Sequence, residues 1–262
     1  MTINTAGYTV GSNYPLTHAR ILYAPITGTV TATGTNGAYA ANDYTAQRWA
    51  CASGANTWTL LTAANANVDC VFIAAHNLIG KTVTIQTNTA SSGGTFITRA
   101  TITPTDNTTI CALFNSAGTP YTIRQIRITV DSGSGVYVGI IRAGVALQMP
   151  IPIYGGHKPI TLNRVTEAQQ QFSETGQWLG RIAKRQAITT TYSWDYLETS
   201  WYDSTFEPFA QTLPLYPFGI AGNPASITSD VGWVWTGSDV QPSNMGVKAY
   251  RAVSIDVTGY AG

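Results

Sequence analysis

"VFIAAHNLIGKTVTIQ", residues 71–86, holds two β-strand patterns and the turn between them. The first pattern is an uninterrupted apolar run that ends at His76 and Asn77, and a glycine follows at Gly80. In the second pattern apolar residues alternate with threonine, which is the period-two sign of a half-buried strand. Asparagine suits a turn because its side chain hydrogen-bonds nearby backbone groups. The stretch therefore predicts a strand that leaves a core, turns and doubles back.

Two interpretations of His76 remain open at this point. Histidine changes its charge near neutral pH, so a histidine at a strand end raises the hypothesis of a catalytic residue. The alternative is a side chain that caps free backbone groups. The other histidines, His18 and His157, are distant in the sequence, and none of the three has a second ligand at metal-binding spacing. We therefore interpret His76, Asn77 and Gly80 as a structural motif and predict no catalytic, metal-binding or cofactor-binding residues.

Other short β patterns recur along the chain, separated by Gly-, Pro-, Asn-, Asp- and Ser-rich turns such as SSGG and DSGSG. Many strands at this spacing without intervening helices predict a sandwich or a barrel. The candidate strands in the first half are residues 19–26, 29–34, 68–75, 82–89, 96–104, 108–114, 121–130 and 136–147.

Residues 148–159, QMPIPIYGGHKP, contain three prolines and two glycines, which suits an extended linker. The linker predicts an N-terminal β-sandwich over residues 1–147, in which residues 1–44 are predicted simply as β structure. It also predicts a C-terminal β-rich domain over residues 160–262. The predicted fold class is thus mainly all-β.

Besides two closing strands at residues 232–237 and 250–260, two elements are predicted in the C-terminal domain. A pair of long strands is joined through a turn at residues 174–176. One short helix lies within residues 195–213, with Thr199 as its N-cap and Pro208 bending or ending it.

The composition limits the classes of function. Charged residues make up 10% of the chain, against about a quarter in typical soluble domains, and the net charge is +1. With no basic surplus to neutralise phosphates, we predict no nucleic-acid partner. Low charge is typical of proteins buried in permanent assemblies and also of extracellular all-β modules.

The longest apolar stretch is interrupted by Arg142 and by prolines, so we predict no membrane insertion. The N-terminus lacks a secretory signal pattern.

Three cysteines, Cys51, Cys70 and Cys111, have no Cys-x-x-Cys spacing, so a zinc site is not indicated. We interpret them as small buried thiols of a protein made in a reducing cytoplasm. A pairing of Cys70 with Cys111 across neighbouring strands stays open.

One acidic cluster, interleaved with tryptophan and tyrosine, raises the hypothesis of a glycan hydrolase, which needs two carboxyl groups facing each other across a sugar. A solvated helix face carries acids at the same spacing, and the chain has no Gly-x-Ser-x-Gly motif and no phosphate-binding loop. We therefore predict that the protein is not an enzyme. The acids are Asp195, Glu198, Asp203 and Glu207.

The stretches VFIAAHNLIGKTVTIQTNT, FITRATITPTDNT and IRQIRITVDSGSGVYVGIIRAGVAL resemble the galactose-binding, discoidin-like β-sandwich of many phage tail proteins. In the second half, PIYGGHKPITLNR, GQWLGR, WYDSTFEPFA and GWVWTGSDVQPSNMGVKAYRAVSIDVTGY resemble the C-terminal region of tailed-phage structural proteins. Together the resemblance covers roughly residues 45–262. It implies a jelly-roll sandwich for the N-terminal domain but no ligand residues that can be carried over.

The resemblance implies a structural protein of a bacteriophage tail, at the distal tail or baseplate, that forms a homo-oligomeric ring. Its partners would be further copies and other tail proteins, and its location the virion after synthesis in the host bacterial cytoplasm. The alternative hypothesis is a module that binds carbohydrate on the host surface. A third hypothesis is the glycan hydrolase described above.

Overall fold

The computed structural model describes residues 3–153, 156–246 and 249–260. Within them the chain forms eighteen strands in three sheets, a 3-10 turn over Gly37–Ala41 and one short helical segment in the second half. The prediction of a mainly β fold, with a two-sheet sandwich followed by a β-rich part that carries a short helix, is confirmed.

Two five-stranded sheets face each other as the β-sandwich. The strands of the first sheet are β1 (Ile3–Gly7), β4 (Trp49–Ala50), β6 (Cys70–His76), β9 (Ile110–Phe114) and β11 (Tyr137–Gly144). The strands of the second sheet are β3 (Thr29–Ala32), β5 (Asn56–Val68), β7 (Val83–Asn88), β8 (Ile97–Ile102) and β10 (Tyr121–Val130). In space the first sheet has the order β1-β9-β6-β11-β4 and the second β3-β5-β10-β7-β8.

A third sheet is built mainly from the second half of the chain. Its strands are β2 (Arg20–Leu22), β12 (Leu147–Gln148), β13 (Arg164–Phe172), β14 (Trp178–Glu198), β15 (Phe218–Ala221), β16 (Val231–Trp235), β17 (Ser243–Asn244) and β18 (Tyr250–Gly259). The spatial order is β12-β2-β15-β16-β18-β14-β13, and β17 pairs with β18.

The first sheet is covered on both faces, and this explains the uninterrupted apolar run of β6. Val71 and Ile73 belong to the sandwich core, whereas Cys70 and Phe72 pack toward the third sheet with Trp233. A strand with two buried faces reads as continuously apolar, whereas β7, with alternately buried and half-buried residues over most of its length, shows the period-two pattern.

Strand β2 connects the two halves of the chain. It comes from the first 44 residues, yet it hydrogen-bonds with β15 and with β12 in the third sheet. The division into domains at residues 148–159 stays a prediction. The structure shows that β2, from the first part of the chain, pairs with β15 from the second part.

The helical segment differs from its prediction in two details. It consists of α1 (Thr199–Trp201), a π-helical turn over Tyr202–Phe206, and α2 (Glu207–Ala210). The prediction that Thr199 is the N-cap was wrong, because Thr199 is the first helical residue and the preceding Glu198 makes no side-chain capping bond. Pro208 does not end the helix, because α2 continues through Phe209 to Ala210, and bending by Pro208 stays a prediction.

The 13-residue strand β5 was not among the predicted strands. Its first half does alternate, since Trp58 and Leu60 are buried between half-buried threonines. Its second half, with the sequence AANAN, has small and polar residues that suit a turn equally well.

We call residues 164–187 the arm. This hairpin contains β13 and the first part of β14, which pair with each other beyond the end of β18. Nearly all its side chains are exposed or half-buried, and β13 is an edge strand. The turn predicted at residues 174–176 joins the two strands, with Gly176 at φ 81°.

Gly219 generates the first prediction, because β15 approaches β6 closely there. A Cβ atom at Gly219 would lie 2.5 Å from Cγ of the fully buried Phe72. We expect Gly219→Ala to lower the free energy of unfolding by about 1–3 kcal/mol, measured by urea denaturation, because the ring must move within a packed core. Gly237→Ala is the control, since nothing lies within 4 Å of its Cβ position. Equal stability of both variants would contradict the close contact.

Candidate functional site

An aromatic groove of about 530 Å³ lies where the N-terminal loop meets β14 and β18. This volume is within the range of small-molecule sites. Its lining combines three tyrosines, a tryptophan, two apolar residues and one carboxylate, and we call it the tyrosine groove. The lining residues are Tyr14, Pro150, Ile151, Tyr196, Glu198, Trp201 and Tyr250.

Tyr196 has an unusual backbone that decides where its ring points. Simple alternation along β14 would place it beside Tyr192 and Trp194, which are both fully buried. Instead, the register with β18 shifts between Trp194 and Leu197, so that Leu197 is buried and Tyr196 is 61% exposed. Tyr196 adopts φ 62°, a left-handed conformation that costs a non-glycine residue about 1–2 kcal/mol. Such bulges often re-aim a side chain next to a site.

The neighbours of Tyr196 complete one side of the groove. Its ring meets the ring of Tyr250 edge to face, with 6.2 Å between the centroids. The backbone N–H of Tyr196 donates to Sδ of Met245 at 3.2 Å, which holds the bulge. Glu198 follows on the same strand with an exposed side chain, and the half-buried Trp201 lies in the first helical turn. This side of the groove thus presents aromatic rings with polar tips, together with the carboxylate of Glu198, to the solvent.

Tyr14 also lines the groove, and a buried arginine holds the loop that carries it. The guanidinium of Arg20 is fully buried and donates to the carbonyl oxygens of Tyr14 at 2.5 Å and of Pro15 at 3.3 Å. It also donates to the carbonyls of His18 and Ala19. Because a buried guanidinium needs such partners, the loop that carries Tyr14 is tied to β2.

The four acidic residues singled out in the sequence do not share one place. Glu198 lines the groove. Asp203 forms an ion pair with Arg251 at 2.9 Å, and Glu207 accepts a hydrogen bond from Gln211 at 3.3 Å. The half-buried Asp195 lies within the bulge and is not among the lining residues.

His76, at the end of β6, is 2% exposed and hydrogen-bonded to backbone on both ring nitrogens. Nδ1 accepts from the N–H of Leu78 at 3.3 Å, so Nε2 carries the proton and donates to the carbonyl of Thr108 at 3.0 Å. Burial lowers the pKa of His76 to about 4. The ring is therefore neutral at physiological pH and serves the backbone of the turn.

Asn77 and Gly80 belong to the same turn. The Asn77 side chain accepts from the N–H of Tyr137 at 2.7 Å and donates to the carbonyl of Gly135 at 2.9 Å. Gly80 has φ 70°, which favours glycine, and its N–H donates to the carbonyl of Pro104.

Of the remaining histidines, His18 stacks on Tyr14 of the groove with 6.0 Å between the ring centroids, whereas neither His157 nor the cysteines are among the lining residues. His157 Nε2 contacts the buried carboxylate of Asp230 at 2.6 Å, and Nδ1 of His18 is 2.9 Å from the carbonyl of Met149. All three cysteines are free thiols. Among the described residues, no three His, Cys, Asp or Glu side chains come together in a way that could hold a metal ion.

No helix within residues 3–153, 156–246 and 249–260 combines the length and apolar character needed to cross a membrane.

The sequence predicted no binding site here, although one of its candidate clusters contains part of the groove lining. The acidic and aromatic cluster drew attention to Glu198, Tyr196 and Trp201, whereas Tyr14 and Tyr250 carried no signal of their own. Alternation along β14 is a misleading signal for Tyr196, because the bulge that exposes it depends on pairing with β18.

No protein-family model and no curated protein matches the sequence. Solved structures of carbohydrate-binding modules resemble part of the chain. Chitosan-binding module 1 of a chitosanase/glucanase from Paenibacillus sp. IK-5 has 19% identity and a TM-score of 0.39, covering 45% of this chain and 96% of that one. The family 32 module of C. perfringens NanJ, solved with galactose, has 15% identity and a TM-score of 0.37, with coverages of 44% and 91%. The CBM62 module of Clostridium thermocellum Xyl5A has 15% identity and a TM-score of 0.39, with coverages of 47% and 99%. Because the TM-scores are below 0.5, the ligands of those modules give no information about what this chain binds.

The buried His76 predicts a pH effect on stability. Between about pH 6.5 and pH 4 the unfolded chain binds a proton at this histidine and the folded chain does not, so stability falls as the pH falls. The contribution over this window is about 3 kcal/mol. We expect His76→Gln to lower the free energy of unfolding at pH 7 by about 1–3 kcal/mol. The gap to the wild type should shrink toward pH 4, measured by urea denaturation at both pH values. A gap that stays constant would contradict a buried neutral ring.

Proposed function

We propose that the protein binds carbohydrate in the tyrosine groove. The observation that carries this proposal is the strained bulge at Tyr196, which turns an aromatic ring out of the core and into a groove with other aromatic rings. A backbone conformation that costs stability and exposes apolar area has no evident benefit to folding, so a role in binding accounts for it.

The chemistry of the groove suits a sugar. Sugar rings present C–H groups on their faces and hydroxyl groups around their edges. Tyrosine and tryptophan offer rigid flat area for the faces and polar tips for the edges, and Glu198 accepts hydrogen bonds from hydroxyl groups. The groove is open to solvent along exposed rings, which suits a polymer chain more than a small molecule enclosed on all sides.

A second candidate function is a structural subunit of a phage tail, with its location in the virion after synthesis in the host cytoplasm. The observation that favours an assembly role is the arm, whose exposed side chains include several large apolar residues. Carbohydrate binding and assembly are compatible, since a subunit repeated in an oligomer multiplies a weak glycan contact. Co-sedimentation of the protein with intact phage particles, in defined stoichiometry with other tail proteins, would test this candidate.

Two substitutions test the groove. We expect Tyr250→Ala and Tyr196→Gly each to weaken binding to polysaccharide about tenfold or more, because each removes an aromatic contact surface. Binding is measured by affinity electrophoresis against a panel of neutral and amino-sugar polysaccharides. Tyr216→Ala is the control, since Tyr216 is about as exposed as Tyr196 and lies outside the groove, whereas Tyr250 is half-buried.

Tyr196→Gly also separates binding from folding. Glycine adopts φ 62° without strain. The free energy of unfolding of the Tyr196→Gly variant should therefore stay within about 1 kcal/mol of the wild-type value or rise above it. A wild type that binds no polysaccharide in the panel, or a loss for Tyr216→Ala as large as for Tyr250→Ala, would overturn the proposal.

The role of Glu198 distinguishes binding from hydrolysis. We expect Glu198→Gln to weaken binding by about 0.5–1.5 kcal/mol, because an amide still accepts one hydrogen bond from a sugar hydroxyl. We also expect the wild type to release no reducing ends from a polysaccharide that it binds, because Asp203 is engaged with Arg251. Release of reducing ends by the wild type, lost in Glu198→Gln, would favour the glycan-hydrolase hypothesis instead.

A further inference from the structure

The arm exposes several large apolar side chains to solvent. Phe172 and Trp178 face each other directly across its two strands near the turn, and both are more than half exposed. Leu179 and Ile182 follow with similar exposure, and Val165 is exposed at the base. Trp178 and the adjacent Leu179 point to opposite faces of the strand, so the exposed apolar residues are spread over both faces of the arm. Exposed apolar residues of this size mark an interaction surface, and tryptophan is enriched among residues that dominate binding energy.

The backbone of the arm has a free edge as well. Within the part of the chain that the structure describes, β13 is the last strand of its sheet, so no strand pairs with one side of it. An isolated two-stranded hairpin is marginally stable, and an edge strand is a template for a further strand. The stretch RVTEAQQQF has no proline or lysine to block such pairing.

The charge of the arm differs in sign from that of the rest of the chain. It contains four basic residues (Arg164, Arg181, Lys184, Arg185) and two acidic residues (Glu167, Glu174), a net charge of +2. Since the whole chain has a net charge of +1, the remainder carries −1. Two arms that pair with each other bring like net charges together, so the attraction between them has to come from the apolar side chains and the strand edge.

We propose that the arm docks onto a second copy of this chain, with the two β13 edges paired antiparallel about a two-fold axis. A strand edge is complementary to itself in that arrangement, because each copy supplies the same donors and acceptors. Pairing along the whole of β13 brings Phe172 of each copy next to Arg164 of the other, so each apolar tip reaches the base of the other arm. The nine residues of β13 in each copy supply the paired edge.

The base of the arm has a cleft that suits such a tip. It has a volume of about 750 Å³, and its lining includes Val165, Ala187, Trp235 and Tyr260. Trp235 is exposed on the last residue of β16. The apolar tip of one copy would cover apolar side chains in this cleft of the other.

The experiment is sedimentation equilibrium of the full chain over a range of micromolar concentrations. We expect the wild type to show twice the mass of one chain, and Trp178→Ser or Ile182→Ser to weaken association about tenfold or more. Leu215→Ser is the matched control, since Leu215 and Ile182 are both 69% exposed but Leu215 lies outside the arm and the cleft. Urea denaturation at low concentration should leave all three variants as stable as the monomeric wild type.

Hydrogen exchange adds a readout of the edge itself. Backbone amides of β13 should gain protection as the wild-type concentration rises, and those of the Trp178→Ser variant should not. A wild type that stays monomeric at the highest concentration, a mass greater than that of a dimer, an equal effect of Leu215→Ser, or a dimer without added protection in β13 would each overturn the proposal. So would a monomer whose arm binds a different protein, although that result would support a structural role. The proposal does not depend on the tyrosine groove. The Trp178→Ser variant should bind polysaccharide in its groove with the affinity of the wild type.

Discussion

Three consecutive residues of β2 tie the molecule together. Ile21 enters the core behind the third sheet, and the next residue, Leu22, packs between the third sheet and the first. Arg20 is also fully buried, and its charged group donates hydrogen bonds to nearby backbone carbonyls. The same strand therefore joins both halves of the chain and holds the loop that carries Tyr14, so one wall of the tyrosine groove depends on it.

The groove and the arm show two ways in which β14 departs from a regular strand. Its middle is an ordinary sheet strand, with Tyr192 and Trp194 buried. Toward its C-terminal end, the bulge at Tyr196 exposes an aromatic ring. Toward its N-terminal end, the strand leaves β18 and continues with β13 alone. Both departures expose apolar area at a cost in stability, and in both cases binding to another molecule is the proposed compensation.

Prediction from sequence succeeded where the burial of a strand leaves a direct trace in residue type. The continuous apolar run of β6 and the alternation in β7 reflect two buried faces and one. It failed for β5, because the AANAN stretch has residues that suit both turns and strands. It also failed for the N-cap at Thr199, because the helix starts directly from the end of β14 and Glu198 takes the position before it.

The sequence by itself determined the β class, the turn at Asn77 and Gly80, and the low charge that argues against nucleic acid, because these depend on residue type and local spacing. The tertiary structure alone decided that β2 crosses into the third sheet and that Tyr14 meets Tyr196 and Tyr250 in one groove. Those contacts join residues that are far apart in the chain, and the bulge that exposes Tyr196 exists through the register between β14 and β18. A local pattern contains no information about such a register, since shifting the pairing by one residue reverses which side chains are buried.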